Sequence, residues 1–279
     1  MTPAQRHPTA IRAALAALAL ALLVEPAAAQ ADPDRQPVLA EPDFTLAALP
    51  TALRMPIGAF AFRLTHRFAR PIAAGTFGDF VADFFGFDAS AQIGLELRYG
   101  VLPGTQATIY RTNNRAIQLL GQQELRRQSE SWPVGADLIL SIEGANNFER
   151  DFAPAVGVIL SHRVADKGAV YLQPLFVYHA GFDDPERADS ARNAMVVGLG
   201  ARWRLAASRT YLLIEAAPRV GAFDPGVHHV TVGIEKRSGG HVFQFNISNS
   251  LGTTLRQVAR GGPASKDWFV GFNLTRKFY

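Results

Sequence analysis

From residue 55 to the C-terminus, apolar residues recur at every second position, and that period decides most of what this chain can fold into. A helix needs apolar spacings of three and four; a spacing of two lays them along one face of an extended strand. Phe60, Phe62, Leu64 and Phe68 alternate with Ala61, Arg63, Thr65 and Arg67. Ile93, Leu95, Leu97 and Tyr99 alternate with Gln92, Gly94, Glu96 and Arg98. The same rhythm runs through 134–143, 195–204, 230–237, 243–248 and 268–278. Weaker segments fill the gaps at 106–112, 116–127, 155–164, 170–179 and 210–220, for twelve strands within a range of 10–14. Pro174 and Pro218 fall inside two of these. Proline gives no N–H to a ladder, so bulges or strand ends are expected there.

The connections alternate in length. Short ones fall at 100–105, 129–133, 165–168, 205–209 and 238–240, longer ones at 69–89, 144–151, 180–193, 221–228 and 251–266. Only 113–115 is short where a long loop is due. An even strand count with turns on one side and loops on the other is the layout of an antiparallel, up-and-down transmembrane β-barrel. In that layout both termini are periplasmic and the barrel occupies residues 57–279.

Alternation alone does not separate a membrane barrel from a soluble one, so the polar face decides. It carries Arg63, Arg67, Glu96, Arg98, Asp137, Glu143, Arg202, Arg204, Glu215, Arg219, Glu235 and Arg237, spaced by glycine and alanine. A face in bulk water would be rich in lysine, which occurs here only at 167, 236, 266 and 277. Arginine's rigid fork pairs with carboxylates in confined space. This face is therefore expected to line a lumen. Its charges either pair and fill the barrel, or form an arginine constriction that selects solutes. With about 12 strands the interior is narrow beside the roughly 16 to 18 strands of open porins. Aromatics near strand ends (Phe68, Tyr99, Tyr110, Trp132, Phe152, Tyr178, Trp203, Tyr211, Phe223 and Trp268) suggest the interfacial girdles of such barrels.

The N-terminus reads as an export signal. Arg6 and Arg12 precede an apolar run over 13–24 and the small residues Ala27, Ala28 and Ala29. Residues 1–29 are the expected signal peptide, with cleavage after 29 or 31, and the run is short for a membrane helix. Cleavage removes two basic residues and one acidic residue, so the net charge falls from +4 to +3, too small to suggest nucleic acid. Residues 30–56, with prolines at 33, 37, 42, 50 and 56, read as an extended periplasmic tether, with 46–49 forming a helical turn or occupying a groove.

Several motifs resemble a family of bacterial exported outer-membrane β-barrel proteins whose domain has no assigned function. They include Pro56-Ile57-Gly58-Ala59-Phe60, Gly94-Leu95-Glu96-Leu97-Arg98-Tyr99-Gly100, Glu143-Gly144-Ala145-Asn146-Asn147-Phe148, Glu215-Ala216-Ala217-Pro218-Arg219 and Gly239-Gly240-His241-Val242-Phe243-Gln244. The resemblance covers nearly all of the chain after the tether and implies an outer-membrane barrel. It supplies no catalytic motif and no ligand. The last strand, with Phe272, Leu274, Phe278 and Tyr279, is the candidate signal for the barrel assembly machinery. Its register is unusual: the polar Asn273, Thr275 and Lys277 take the positions usually apolar.

Little points to chemistry. Cysteine is absent, which excludes thiolate metal sites and cysteine nucleophiles. His228 and His229 lie near Asp224, but adjacent strand residues point opposite ways, so no metal site is assigned. Ser161 beside His162, and Ser238 and Ser248 around His241, lack a nucleophile elbow; a lipid hydrolase is a minor alternative. Gly198-Leu199-Gly200 reads as sheet curvature. Phe80, Phe84 and Phe87, within 78–88, suit a short amphipathic helix or an aromatic-anchored loop. The leading expectation is a narrow channel for small polar or anionic solutes, without cofactor or catalysis. The alternative is a non-conducting scaffold that organises a periplasmic or surface partner through 30–56. Either would sit in outer-membrane lipid after export through the Sec route.

Overall fold

The alternating segments form one antiparallel sheet of thirteen strands. The computed structural model describes residues 32–82, 90–181, 193–206, 208–222 and 226–279. The signal segment, residues 83–88 of the phenylalanine-rich segment, Phe223 and Asp224 lie outside the described residues.

Strands β1 (Phe60–Phe68), β2 (Ala91–Leu102), β3 (Thr105–Thr112), β4 (Ile117–Arg126), β5 (Gly135–Ala145), β6 (Arg150–Val164), β7 (Gly168–Val177) and β8 (Ala194–Arg204) each pair with the next. β9 (Thr210–Ala217) and β10 (Arg219–Ala222) follow, then β11 (His229–Ser238), β12 (His241–Ser248) and β13 (Phe269–Phe278). β13 pairs with β1 from Phe60↔Phe278 to Arg67↔Gly271 and closes the ring. β9 pairs with one stretch of β8, from Leu199 to Arg204. β10 pairs with the next stretch, from Ala194 to Val196. These two strands share one wall position, so the barrel is twelve-stranded, as the alternation implies.

Pro218 is where that position splits, and the register shifts just beyond it, between Arg219 and Gly221. Pro174 behaves otherwise. The β6–β7 ladder skips from Gly157↔Leu175 to Leu160↔Leu172, yet the register on either side is continuous. The missing N–H interrupts the ladder without inserting a residue, so the expected bulge or strand end is absent there.

Tight turns at 103–104, 165–167 and 239–240 lie at one end of the barrel, and the strand ends at Phe68 and Ala91, Val177 and Ala194, and Ser248 and Phe269 at the other. Residues 113–116 are short on the loop side, and the 127–134 connection is longer than its pattern suggests. Phe60, which opens β1, lies beside Phe278 and Tyr99, so the chain enters and leaves the barrel at the turn end.

The outer face is apolar: Phe62, Leu97, Ile109, Leu140, Leu172, Ile214 and Phe245 are all exposed. Such a band is a liability in water and the expected surface in lipid. Tyr99, Trp132, Phe152, Tyr178 and Trp203 are exposed aromatics. Tyr110 and Tyr211 are instead buried and face inward. Each shares strand parity with lumen residues, Tyr110 with Gln106 and Tyr211 with Glu215. Parity overrides their position near a strand end. Among the described residues two short α-helices are not part of the wall, α1 (Phe77–Ala82) and α2 (Leu255–Arg260).

Candidate functional site

The inward face is where polar groups concentrate. Arg63, Arg67, Glu96, Arg98, Asp137, Glu143, Arg202, Glu215 and Glu235 are all buried on it. Arg202 and Glu235, on β8 and β11, form a two-contact ion pair, Nε to Oε1 at 2.5 Å and Nη2 to Oε2 at 3.1 Å. Arg98 pairs with Glu96 at 3.0 Å. The remaining three expected lumen residues sit elsewhere. Arg204 donates to the Ser208 carbonyl and Arg237 to the Gly239 carbonyl, both at turns. Arg219 donates to the Ala259 and Arg260 carbonyls at the end of α2. Their strand-end positions put them at the rims.

The pairing among wall charges is incomplete because many of them hold another part of the chain. Residues 40–56, read from sequence as part of a periplasmic tether, are buried throughout and bonded to inward side chains. They form a hairpin. The Thr51 amide donates to the Phe44 carbonyl at 2.8 Å, and the Leu46 amide to the Leu49 carbonyl at 2.8 Å. At the tip, the amides of Ala47, Ala48 and Leu49 all donate to the Glu215 carboxylate, each at 3.0 Å. Three successive amides converging on one carboxylate form an anion cradle, here made by the inserted segment for a wall residue. His229 also bonds Glu215, at 2.8 Å.

Carbonyls of the hairpin are taken up by wall donors. Arg63 reaches those of Leu46 and Ala47, at 3.2 and 2.8 Å. Arg202 reaches those of Asp43 and Thr45, at 3.1 and 2.8 Å. Gln122, Gln173 and Gln244 bond the carbonyls of Thr51, Pro50 and Leu46. Gln106 both donates to the Leu53 carbonyl and accepts from the Met55 amide. These groups satisfy a backbone that would otherwise be buried without partners.

Side chains anchor the two limbs. Tyr171 donates to Glu41 at 2.8 Å and Thr275 to Asp43 at 2.8 Å. Lys277 donates to the Pro42 carbonyl and lies 4.6 Å from the Phe44 ring centroid. Arg54 pairs with Asp137 at 3.1 Å and with Glu124. The odd register of the last strand now has a physical reason: Asn273, Thr275 and Lys277 face inward to grip the hairpin. Phe272, Leu274 and Phe278 face outward, and Phe278 stacks on Phe60 at 4.5 Å.

Gly198 and Gly200 also acquire a role. A Cβ on Gly200 would lie 2.2 Å from Leu46, and one on Gly198 would lie 3.0 Å from Leu49. These wall glycines make room for the two leucines of the tip.

From the loop end, α2 closes the lumen. Thr254 caps it, exchanging hydrogen bonds with Gln257 in a capping box. Arg256 donates to Asp151 Oδ1 at 2.8 Å and to the Gly181 carbonyl at 2.8 Å. Arg260 donates to the Ala180 carbonyl at 2.6 Å. Burial, then the neighbouring Arg256 charge, lower the Arg260 guanidinium to about 10. Leu255, Val258 and Ala259 share one apolar cluster with the hairpin's Leu46 and Leu49 and with Ile139, Ile159 and Val196 of the wall.

Of the motifs weighed for chemistry, Ser238 and His241 are cross-strand partners on β11 and β12, but the structure gives no serine–histidine hydrogen bond in any of them among the described residues. Ser161 faces the lumen while His162 leans on the Pro133 carbonyl. His241 lies beside Arg276. His228 accepts from the Arg219 amide, whereas His229 is buried against Glu215.

Sequence reasoning allowed 46–49 to turn or occupy a groove, but it missed the hairpin as a whole, the glutamines that hold it and the inward helix. One signal was present: the inward parity of Gln106, Gln122, Gln173 and Gln244 places four long amides in the lumen, where solvent alone would not require them.

Two comparisons bear on this architecture. The family model described as "Membrane bound beta barrel domain (DUF5777)" matches residues 44–278. The match begins at Phe44, so the hairpin tip is part of the domain. No curated protein matches the chain in sequence. Among solved structures, the NanC porin is similar with TM-score 0.53 and 8% identity, over 79% of this chain and 100% of that one. The KdgM porin follows with TM-score 0.50 and 8% identity, over 79% and 99%. At such identity the likeness is one of fold.

Proposed function

We propose, for a chain that belongs to the family of membrane-bound β-barrel domains designated DUF5777, an outer-membrane channel for small polar or anionic solutes that is shut at rest by residues 40–56. The observation that supports it is how the hairpin is held. Wall side chains grip it mostly by hydrogen bonds to its backbone, as with Arg63, Arg202 and Glu215. Those groups are polar and charged, so with the hairpin gone they would line a wet, arginine-bearing passage. Export by residues 1–29, periplasmic termini and recognition of the last strand through Phe272, Leu274, Phe278 and Tyr279 belong to the same reading. No catalytic step is proposed.

The test is planar-bilayer conductance of the refolded protein. The native chain is expected to be closed most of the time. Glu215→Gln weakens the acceptor of three amides, and Gly200→Val collides with Leu46. Each is expected to raise open time at least about tenfold, which needs only about 1.4 kcal/mol. Arg63→Gln in the Glu215→Gln background then lowers anion preference, read from reversal potentials.

A second reading is a permanently sealed barrel that organises a periplasmic or surface partner. The apolar cluster uniting hairpin, wall and α2 favours it. Silence from folded, inserted Glu215→Gln and Gly200→Val proteins would select it.

A further inference from the structure

We infer that the lumen is a binding site for peptides, read mainly through their backbone, and that residues 40–56 are its resident ligand. The inference rests on the reading of a channel shut by that segment, because an outside peptide meets the wall only when the hairpin leaves.

Complementarity carries the argument. The tip offers alternating demands: amides at 47–49 that want an acceptor, and carbonyls at 45–47 that want donors. The wall meets both within one site, Glu215 for the amides and Arg63 with Arg202 for the carbonyls. A small anion would gain from the arginines but be repelled by Glu215. A cation would suffer the reverse. A peptide turn satisfies both, because every residue brings one donor and one acceptor in fixed geometry. Gln122 and Gln173 continue the pattern along the returning limb, taking the carbonyls of Thr51 and Pro50. An amide side chain suits a peptide bond of any sequence.

Side chains narrow the ligand class without dominating it. Gly198 and Gly200 leave space for two apolar side chains at the turn. Thr275 and Tyr171 receive carboxylates just ahead of it, here Asp43 and Glu41. The expected ligands are peptides with one or two acidic residues preceding a short apolar turn. A channel built this way would take peptides as cargo, with its own N-terminal segment as competitor.

The experiment starts from the full chain with a protease site introduced at Ile57 and Gly58, an exposed turn between hairpin and β1. The intact protein folds first, is immobilised, cleaved and washed, and intact mass reports whether the segment has left. Synthetic peptide 40–56 is then added to the cleaved barrel, and fluorescence anisotropy and bilayer current are read in parallel. The peptide is expected to bind at micromolar concentration and block the current. Methylating the amide nitrogens of Ala47, Ala48 and Leu49 should weaken binding more than about tenfold, since three hydrogen bonds to a charged group are lost. Changing Ala47 and Ala48 to glycine keeps all three amides and should weaken binding by less than about tenfold, below the effect of methylation. A cleaved segment that survives washing is itself a bound peptide and supports the inference. Current without peptide binding, or equal binding by the methylated peptide, overturns the inference and leaves the channel reading intact. Peptide binding to a folded barrel that never conducts overturns the channel reading instead.

Discussion

The hairpin and α2 fill the lumen from opposite ends, and the direction of recognition reverses between them. For the hairpin, the wall supplies most of the side chains and the inserted segment supplies backbone: Glu215, Arg63 and Arg202 reach amides and carbonyls. For α2, most of the grip comes from the inserted element: Arg256 and Arg260 reach out to carbonyls at Ala180 and Gly181, and the wall's Arg219 answers only at the carbonyls of Ala259 and Arg260. Even the cap comes from within, through Thr254 and Gln257. The hairpin is thus tolerant of its own sequence and demanding of the wall. The helix is demanding of its own sequence. A ligand-like element and a built-in lid differ in that way.

Substitutions can break this comparison, and the largest effect is expected in the wall. Arg202→Ala leaves Glu235 buried with the Gln244 amide but no cation, and removes a donor from each of two hairpin carbonyls. Losing one side of a buried pair costs about 3 to 5 kcal/mol, so the urea midpoint of the refolded barrel should fall well below that of the native chain. Next is Arg256→Ala, which removes the contacts of α2 to Asp151 and one of its two bonds to the Gly181 carbonyl, leaving that of Arg260. Hydrogen bonds of charged groups contribute about 1.5 to 3 kcal/mol. Limited proteolysis should then cut within 249–268 while the hairpin stays protected. If the hairpin is released as well, the two elements are one unit and the contrast fails.

The sharpest test uses one residue. Ala48→Pro deletes an amide that donates to Glu215 and should loosen the hairpin by about 1.5 kcal/mol or more. Ala48→Gly keeps that amide and removes one methyl, at about 1 kcal/mol or less. Open time in bilayers should follow the same order, and equal effects would mean that the methyl matters as much as the backbone bond.

The smallest effect lies outside the lumen, at α1. The Thr76 amide and hydroxyl donate to Asp79, and those bonds, the amide first, hold its carboxyl below the usual range. A carboxyl lowered on folding stabilises above its unfolded pKa and loses that contribution as pH falls through its folded one. Amide protection over 76–82, corrected for the intrinsic exchange rate, should therefore fall on acidification while that of the barrel strands is unaffected.

How much of this was legible follows from the same physics. Strands were readable because a two-residue period leaves a regular trace, and nine of the twelve expected lumen charges are buried on the inward face, including Arg67, Asp137 and Glu215. Arg204, Arg219 and Arg237 share the parity but sit at strand ends, where alternation no longer tells lumen from rim. The hairpin left one faint trace of its own, the apolar run 46–49 that suited a turn or a groove. A segment recognised through amides and carbonyls needs no side-chain pattern, so its prolines suggested only a tether. Its imprint was on the wall, in the inward glutamines and in Gly198 and Gly200, and those glycines suit sheet curvature equally well until Leu46 and Leu49 are seen against them.

The seam between β1 and β13 deserves a kinetic view. It joins the two ends of the sheet, and the hairpin immediately precedes β1 in the chain. Arg63 on β1 and Asn273, Thr275 and Lys277 on β13 all bind that hairpin. Both strands of the seam therefore touch the same inserted segment, so docking of the hairpin and closure of the ring favour each other. While the ring is still open, a hairpin docked on β1 presents β13 with partners at high local concentration. In the folded barrel it works as a splint, bridging the closing joint from the inside.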